Sequence, residues 1–171
     1  QKLLDIGRLE GGDSLAIQPM SVADIIRRVV ESMEAQAKQK NIQMVVNLPD
    51  APMVIEADTT FLALALKNLM ENAIKFSKME GEVILSASRD DDRVVFAVED
   101  KGIGIAPLDQ RHLFKKFSRT SAQTGQDQTG SGLGLVIVKS IAERHGGQVR
   151  VESQLGKGSI FYFEIPRKQS R

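Results

Sequence analysis

The chain is predicted to fold as an α+β, two-layer sandwich in which a mixed, mostly antiparallel sheet carries its helices on one face. Three observations predict this. Two long amphipathic patterns, at 22–40 and 59–76, lie close together in the first half of the chain. A β-rich pair of segments joined by Arg89-Asp90-Asp91-Asp92 follows, and two more β-rich segments close the chain after a third helical pattern. Helices and hairpin strands are therefore segregated, whereas a doubly wound sheet requires strict alternation. At 171 residues the chain has room for one full hydrophobic core.

Taken in order, Leu3, Leu4, Ile6 and Leu9 recur at helical spacing and read as the last turns of a longer helix, stopping at Gly11-Gly12. Asp13, Ser14 and Pro19 then mark a loop. Ser21 with Asp24 forms a capping pair for a helix whose stripe is Val22, Ile25, Ile26, Val29, Val30, Met33 and Ala37. Ile42 to Leu48 and Met53 to Ala57 read as two strands around the turn Pro49-Asp50-Ala51-Pro52. Asp58 caps the next helix, Thr59 to Phe76, which places Leu62, Leu66, Leu69, Ala73 and Phe76 on one side. Glu82 to Ser88 and Arg93 to Glu99 form an antiparallel hairpin, and its three aspartates are solvated turn residues. Lys115 to Thr129 is polar and reads as a functional loop, a lid. A helix from about Gly132 to His145 ends at Gly146-Gly147, before strands at Gln148 to Ser153 and Ser159 to Ile165.

Composition excludes several function classes. With 23 Lys+Arg against 22 Asp+Glu, the net charge of +1 gives no general attraction for nucleic acid. There is no Cys, which removes disulfides, thiolate metal sites and thiol redox chemistry and is compatible with a cytoplasmic setting. The apolar runs fall far short of the roughly 18 to 20 residues that span a bilayer. His112 and His145 stand apart from any zinc pattern and read as structural, His145 at a helix end where the dipole favours a cation. No Gly-x-Ser-x-Gly elbow occurs.

Three patches carry chemistry. Asn68, Asn72 and Lys75, at i, i+4 and i+7, fall within roughly 60° of arc on the helix face turned away from the Leu66/Leu69 stripe. Amide oxygens are hard neutral ligands suited to Mg²⁺, and a lysine supplies charge to phosphates; a solvated helix face has the same composition. Asp100 ends an apolar strand before Gly102 and Gly104, so that its carboxylate can accept from the amino group of adenine in a pocket floored by glycine; an ordinary strand-ending turn has the same residues. Gly130, Gly132 and Gly134 precede a helix whose first-turn N–H groups and dipole can receive phosphate oxygens. This third pattern is neither a P-loop nor a Rossmann fingerprint. Together the patches predict an ATP-binding phosphotransfer domain.

In this order and spacing the patches resemble the catalytic, ATP-binding domain of sensor histidine kinases, within the Bergerat-fold superfamily that also includes gyrase, Hsp90 and MutL. The likeness spans about 14–166. Asn68 to Lys75 resembles the family's N box, Asp100 to Ile105 its first glycine box, Leu113 to Arg119, with Phe117, its F box, and Gly130-Ser131-Gly132-Leu133-Gly134-Leu135 its second glycine box. The stretch Gly156 to Pro166 is similar to the family's last strand, with Ser159 where Thr is more usual.

The resemblance implies ATP and Mg²⁺ as cofactors, with Asn72 on the metal, Asn68 and Lys75 at the phosphates, Asp100 on the adenine amino group, and Arg119 closing with the lid. Gly102, Gly104, Ile105, Phe117, Gly130, Ser131, Gly132, Leu133, Gly134 and Ser159 are implied as nucleotide contacts, and Glu71 as a base toward an incoming imidazole. Hydrolytic relatives carry a water-activating Glu four residues before the metal-binding Asn; Asn68 stands there, which favours transfer over hydrolysis. The implied partners are an upstream dimerisation and phosphoacceptor domain, of which 1–13 would be the remnant before a catalytic domain at 14–168, and a response-regulator receiver domain. A monomeric isolated domain, a homodimeric parent, no nucleic-acid partner and no self-phosphorylation are implied with them. The competing readings are an ATPase or serine-directed kinase of the same superfamily, and a regulatory module that only binds nucleotide.

Overall fold

The computed structural model describes residues 1–118 and 132–170. Its elements are α1 (Lys2–Glu10), β1 (Ile17–Ser21), α2 (Val22–Gln39), β2 (Gln43–Asn47), β3 (Val54–Asp58), α3 (Thr59–Phe76), β4 (Glu82–Asp90), β5 (Arg93–Asp100), the single turn α4 (Pro107–Gln110), α5 (Gly134–Arg144), β6 (Gln148–Gln154) and β7 (Gly158–Pro166). β2, β4, β5, β7 and β6 lie in that order in one five-stranded sheet, parallel between β2 and β4 and antiparallel elsewhere. This is the mixed, mostly antiparallel sheet that the sequence predicts.

Alternation sets the layers. On β5, Val94, Phe96 and Val98 are buried while Val95 and Ala97 between them are half-exposed, the signature of a sheet covered on one side. Phe96 meets Phe163 of β7 edge-to-face at 6.3 Å, and both are fully buried beneath the helices. α3 lies between α2 and α5 over this layer. It buries Leu62, Ala65, Leu66, Leu69, Met70, Ala73 and Ile74, more than one stripe, as a helix with neighbours on several sides must.

Both long helices start where local chemistry places them. Ser21 Oγ accepts from the Asp24 N–H at 3.4 Å, and Asp58 Oδ1 accepts from Thr60 and Phe61 N–H at 3.0 and 3.1 Å. The far end of α3 is closed by Lys40, whose ammonium donates to the carbonyls of Ile74, Lys75 and Ser77 at 2.9, 2.9 and 2.7 Å.

Two expectations need correcting. The strands flanking Pro49 to Pro52 do not pair with each other: β2 joins the main sheet beside β4, while β3 pairs antiparallel with β1. β1 itself occupies the stretch around Pro19 that reads as loop. Proline is tolerated because this ribbon has only two strands, so the position without an N–H can face an unpaired edge. In α1, Ile6 and Leu9 join the common core, but Leu3 and Leu4 are 68% and 66% exposed.

His145 is likewise not the cation that its place at a helix end suggests. It is 1% exposed, its Nε2 accepts from the Asp58 N–H at 3.1 Å, and its Nδ1 lies 2.8 Å from the Ile141 carbonyl, the geometry of a neutral ring protonated at Nδ1. Burial lowers its pKa from 6.5, outweighing the Ile141 contact that raises it. A base with a depressed folded pKa stabilises the fold above its unfolded pKa and loses that contribution as pH falls, because the unfolded chain then takes up a proton that the folded one refuses. Thermal melts between pH 7.5 and 5.5 should therefore show a loss of stability with acidification that His145→Gln reduces. Equal slopes for the two proteins would mean that His145 is not held neutral.

Candidate nucleotide site

The sequence patches converge on α3. Asp100, the last residue of β5, is 5% exposed, and its Oδ1 accepts from the Gly102 N–H at 2.9 Å. Burial raises its pKa from 3.8 to about 6, against the lowering effect of the backbone bonds from Gly102 and Ser159. A carboxylate so poorly solvated gains most from a ligand that donates to it. The turn after it is pressed against the C-terminus of α3: Ile103 N–H donates to the Phe76 carbonyl at 3.3 Å, and a Cβ on Gly102 would lie 2.0 Å from that same oxygen. Gly104, at φ +68, would place a Cβ 2.1 Å from the Gln154 carbonyl. Both glycines are thus demanded by the protein's own backbone, a reason different from the open pocket floor that the sequence suggests.

The turn is braced from its other side. Ser153 Oγ accepts from Ile105 N–H at 2.8 Å and lies 2.7 Å from Ser159 Oγ, so Ser159 is buried in a hydroxyl pair. Gln110 of α4 donates to the carbonyls of Ile105 and Ser153 at 2.8 and 3.1 Å. Neither Gln110 nor Ser153 is legible in the sequence as a site residue. Ser153 faces Ser159 only through the β6–β7 register, and Gln110 is one polar residue in a four-residue helix.

Farther back along α3 the second patch differs from expectation. Asn72 and Lys75 are half-buried, but Asn68 is 2% exposed, because α5 covers the side of α3 that the helical wheel leaves open. Asn68 Nδ2 donates to the Leu64 carbonyl at 2.8 Å, while Oδ1 is buried without a partner among the described residues. That oxygen is aimed at the start of α5, since a Cβ on Gly134 would lie 3.0 Å from it. Lys75 holds its ammonium 5.1 Å from the Phe76 ring centre. Glu71, next to Asn72, is ion-paired to Lys2 of α1 at 3.3 Å.

The third patch is described in part. Gly132, at φ +68, accepts from the Phe117 N–H through its carbonyl at 3.0 Å, tying the polar loop's first residues to the entrance of α5. Phe117 is 67% exposed. Leu133 and Gly134 are buried as α5 begins. Arg119, Gly130, Ser131 and most of the lid lie outside the described residues.

A buried carboxylate in a glycine turn at one end of α3, amides along it, and a helix N-terminus against its middle define an ATP-binding domain of the Bergerat class. Residues 57–169 match the family described as histidine kinase-, DNA gyrase B- and HSP90-like ATPase, and the chain belongs to it. Within that family it aligns with sensor histidine kinases. The circadian input-output histidine kinase CikA of Synechococcus elongatus is 34% identical over 97% of the chain and 22% of that protein. The sensor-like histidine kinase SenX3 of Mycobacterium tuberculosis is 36% identical over 96% of the chain and 40% of that protein. The crystal structure of full-length ShkA in complex with AMPPNP superposes with a TM-score of 0.86 at 33% identity, over 99% of the chain and 35% of that one. The catalytic domain of the histidine kinase ThkA, nucleotide-free, superposes at 0.79 with 26% identity, over 90% and 97% of the two chains. The chain thus spans less than half the length of CikA and of SenX3. Among the described residues, no helix is long and apolar enough to cross a membrane.

Proposed function

We propose that this chain is the catalytic domain of a two-component sensor kinase, binding Mg·ATP and donating the γ-phosphoryl group to a histidine on a dimerisation domain, from which it passes to an aspartate on a response-regulator receiver domain. The observation that carries this reading is the convergence on α3: the Asp100 turn packs on the Phe76 carbonyl and the start of α5 packs on Asn68. The AMPPNP complex of ShkA supports the nucleotide.

In this reading Asp100, ionised at neutral pH, accepts from the adenine amino group. The Gly130 to Gly134 entrance and the dipole of α5 receive the phosphates, with Lys75 and Arg119 adding charge. Asn68 Oδ1, without a partner among the described residues, and Asn72 offer hard amide oxygens that fit Mg²⁺, and Asn72 would hold it. When bound, the ion would supply charge neutralisation to the phosphates. The acceptor imidazole nitrogen attacks the γ-phosphorus, the bond to the β-phosphate oxygen breaks, and ADP leaves. Glu71 takes the imidazole proton once free of Lys2. Asn68, where hydrolytic relatives carry a glutamate, supports transfer rather than hydrolysis.

Calorimetric titration with unhydrolysable ATP and GTP analogues, each with and without Mg²⁺, tests this directly. Adenine-selective binding strengthened by Mg²⁺ is the expected result, with no label incorporated from radioactive ATP into the chain alone. Absence of binding, or self-phosphorylation, would refute the reading.

A further inference from the structure

Lys2 lies on the docked face of α1. It shares that face with Ile6 and Leu9, at i+4 and i+7, whose side chains are buried in the common core, and α1 packs along α5. A second ion pair, between Glu10 and Lys116 at 2.5 Å, joins the other end of α1 to the first residues of the Lys115 to Thr129 loop. The helix is therefore fixed in register, and Lys2 has a defined place across the site. Its ammonium pairs with Glu71 at 3.3 Å and would lie 3.5 Å from a Cβ on Gly134, the residue that opens α5.

This is an unusual position for a cation. The N-terminus of a helix repels positive charge, and the helix here is 11 residues long. Among the described residues the Glu71 carboxylate pairs with the ammonium, and the first turn of α5 carries no acidic residue. The buried Asn68 Oδ1, 3.0 Å from the same Gly134 Cβ position, has no partner among the described residues. The cluster thus joins a cation, a positive helix terminus and an unfilled acceptor, and an anion that arrives with its own cation satisfies all three.

We propose that Lys2 is a phosphate-contacting residue of the nucleotide site, supplied by α1 and held in reserve by Glu71, so that docking of α1 on α5 sets the affinity for the phosphate end of a nucleoside triphosphate. This rests on the nucleotide reading above. As the phosphates enter, Lys2 exchanges Glu71 for a phosphate oxygen, which also frees the Glu71 carboxylate. α1 is then a component of the site, and undocking it removes one positive charge from the triphosphate.

The test compares the chain with its Lys2→Met and Lys2→Arg variants, titrated with an unhydrolysable ATP analogue and with adenosine. Lys2→Met should weaken the ATP analogue about three- to fivefold, the scale of one half-exposed ionic contact, and leave adenosine unchanged. Lys2→Arg should restore binding of the analogue, and added salt should narrow the gap between wild type and Lys2→Met. Unchanged affinity in Lys2→Met would overturn the proposal, as would tighter binding, which would make the ammonium a plug. A Lys2→Arg variant as weak as Lys2→Met would also overturn it, showing that packing of α1 rather than charge is at stake. A wild-type chain that binds adenosine but responds to none of these changes refutes Lys2 alone; one that binds neither ligand refutes the nucleotide reading and the role of Lys2 with it.

Discussion

Asp100→Asn is expected to abolish adenine selectivity while making the unliganded protein more stable. The carboxylate sits 5% exposed with a pKa raised to about 6, so the folded chain retains a proton that the unfolded chain has already lost. An acid with a raised folded pKa opposes folding as pH rises through the window from about 4 to about 6, and the full penalty remains at pH 7. Removing that charge should raise stability by on the order of 2 kcal/mol at pH 7. Binding should move the other way. Loss of a charged acceptor for the exocyclic amino group weakens an adenine nucleotide on the order of 10- to 100-fold. In the unmutated chain, adenosine affinity should fall as pH drops below about 6 and the carboxylate takes up a proton. Thermal melts and titrations on one pair of proteins check both signs. An Asn variant that is less stable and equally selective would show that Asp100 serves the turn rather than the base.

Gly102→Ala should be among the most damaging single methyl groups in the site. The added Cβ would lie 2.0 Å from the Phe76 carbonyl oxygen and 2.9 Å from Asp100 Oδ1, and the nearer of these is backbone that cannot rotate away. The turn must then lift off the end of α3, which Lys40 holds through three carbonyls. Overpacking of this kind costs about 3 kcal/mol. The displaced turn also carries the Gly102 N–H that orients Asp100, so nucleotide binding should be lost even where the variant stays folded. Urea unfolding together with calorimetry measures both effects. A variant of wild-type stability that still binds an ATP analogue would mean that the Gly102 contact with α3 is not part of the site.

The two variants act on opposite sides of one design. In the proposed reading the buried Asp100 costs stability but is a good acceptor for a ligand, and Gly102 lets two backbone segments touch so that the carboxylate is aimed. Likewise the buried Asn68 Oδ1 is left unsatisfied within the described structure, where a purely structural site would have supplied a donor.

What the sequence determined by itself is everything encoded over a few residues. The spacing of Leu62, Leu66, Leu69 and Ala73 makes α3, Ser21 and Asp58 start their helices, the aspartate turn closes the β4–β5 hairpin, and the order of the glycine and asparagine patches marks the family. These depend on dihedral preference, periodicity and neighbouring hydrogen bonds, which residue order specifies directly. The tertiary structure decided whatever depends on which surface meets which. It put β2 beside β4 in parallel, and paired β3 with a proline-bearing strand that reads as loop. It buried Asn68 under α5, kept His145 neutral against the Asp58 amide, and brought Lys2 across 69 positions to Glu71. A helical wheel shows which side of α3 is polar, but not that another helix will cover it. Desolvation and long-range pairing exist only after the layers close, and in this chain they raise the pKa of Asp100, bury Asn68 and give Glu71 its partner.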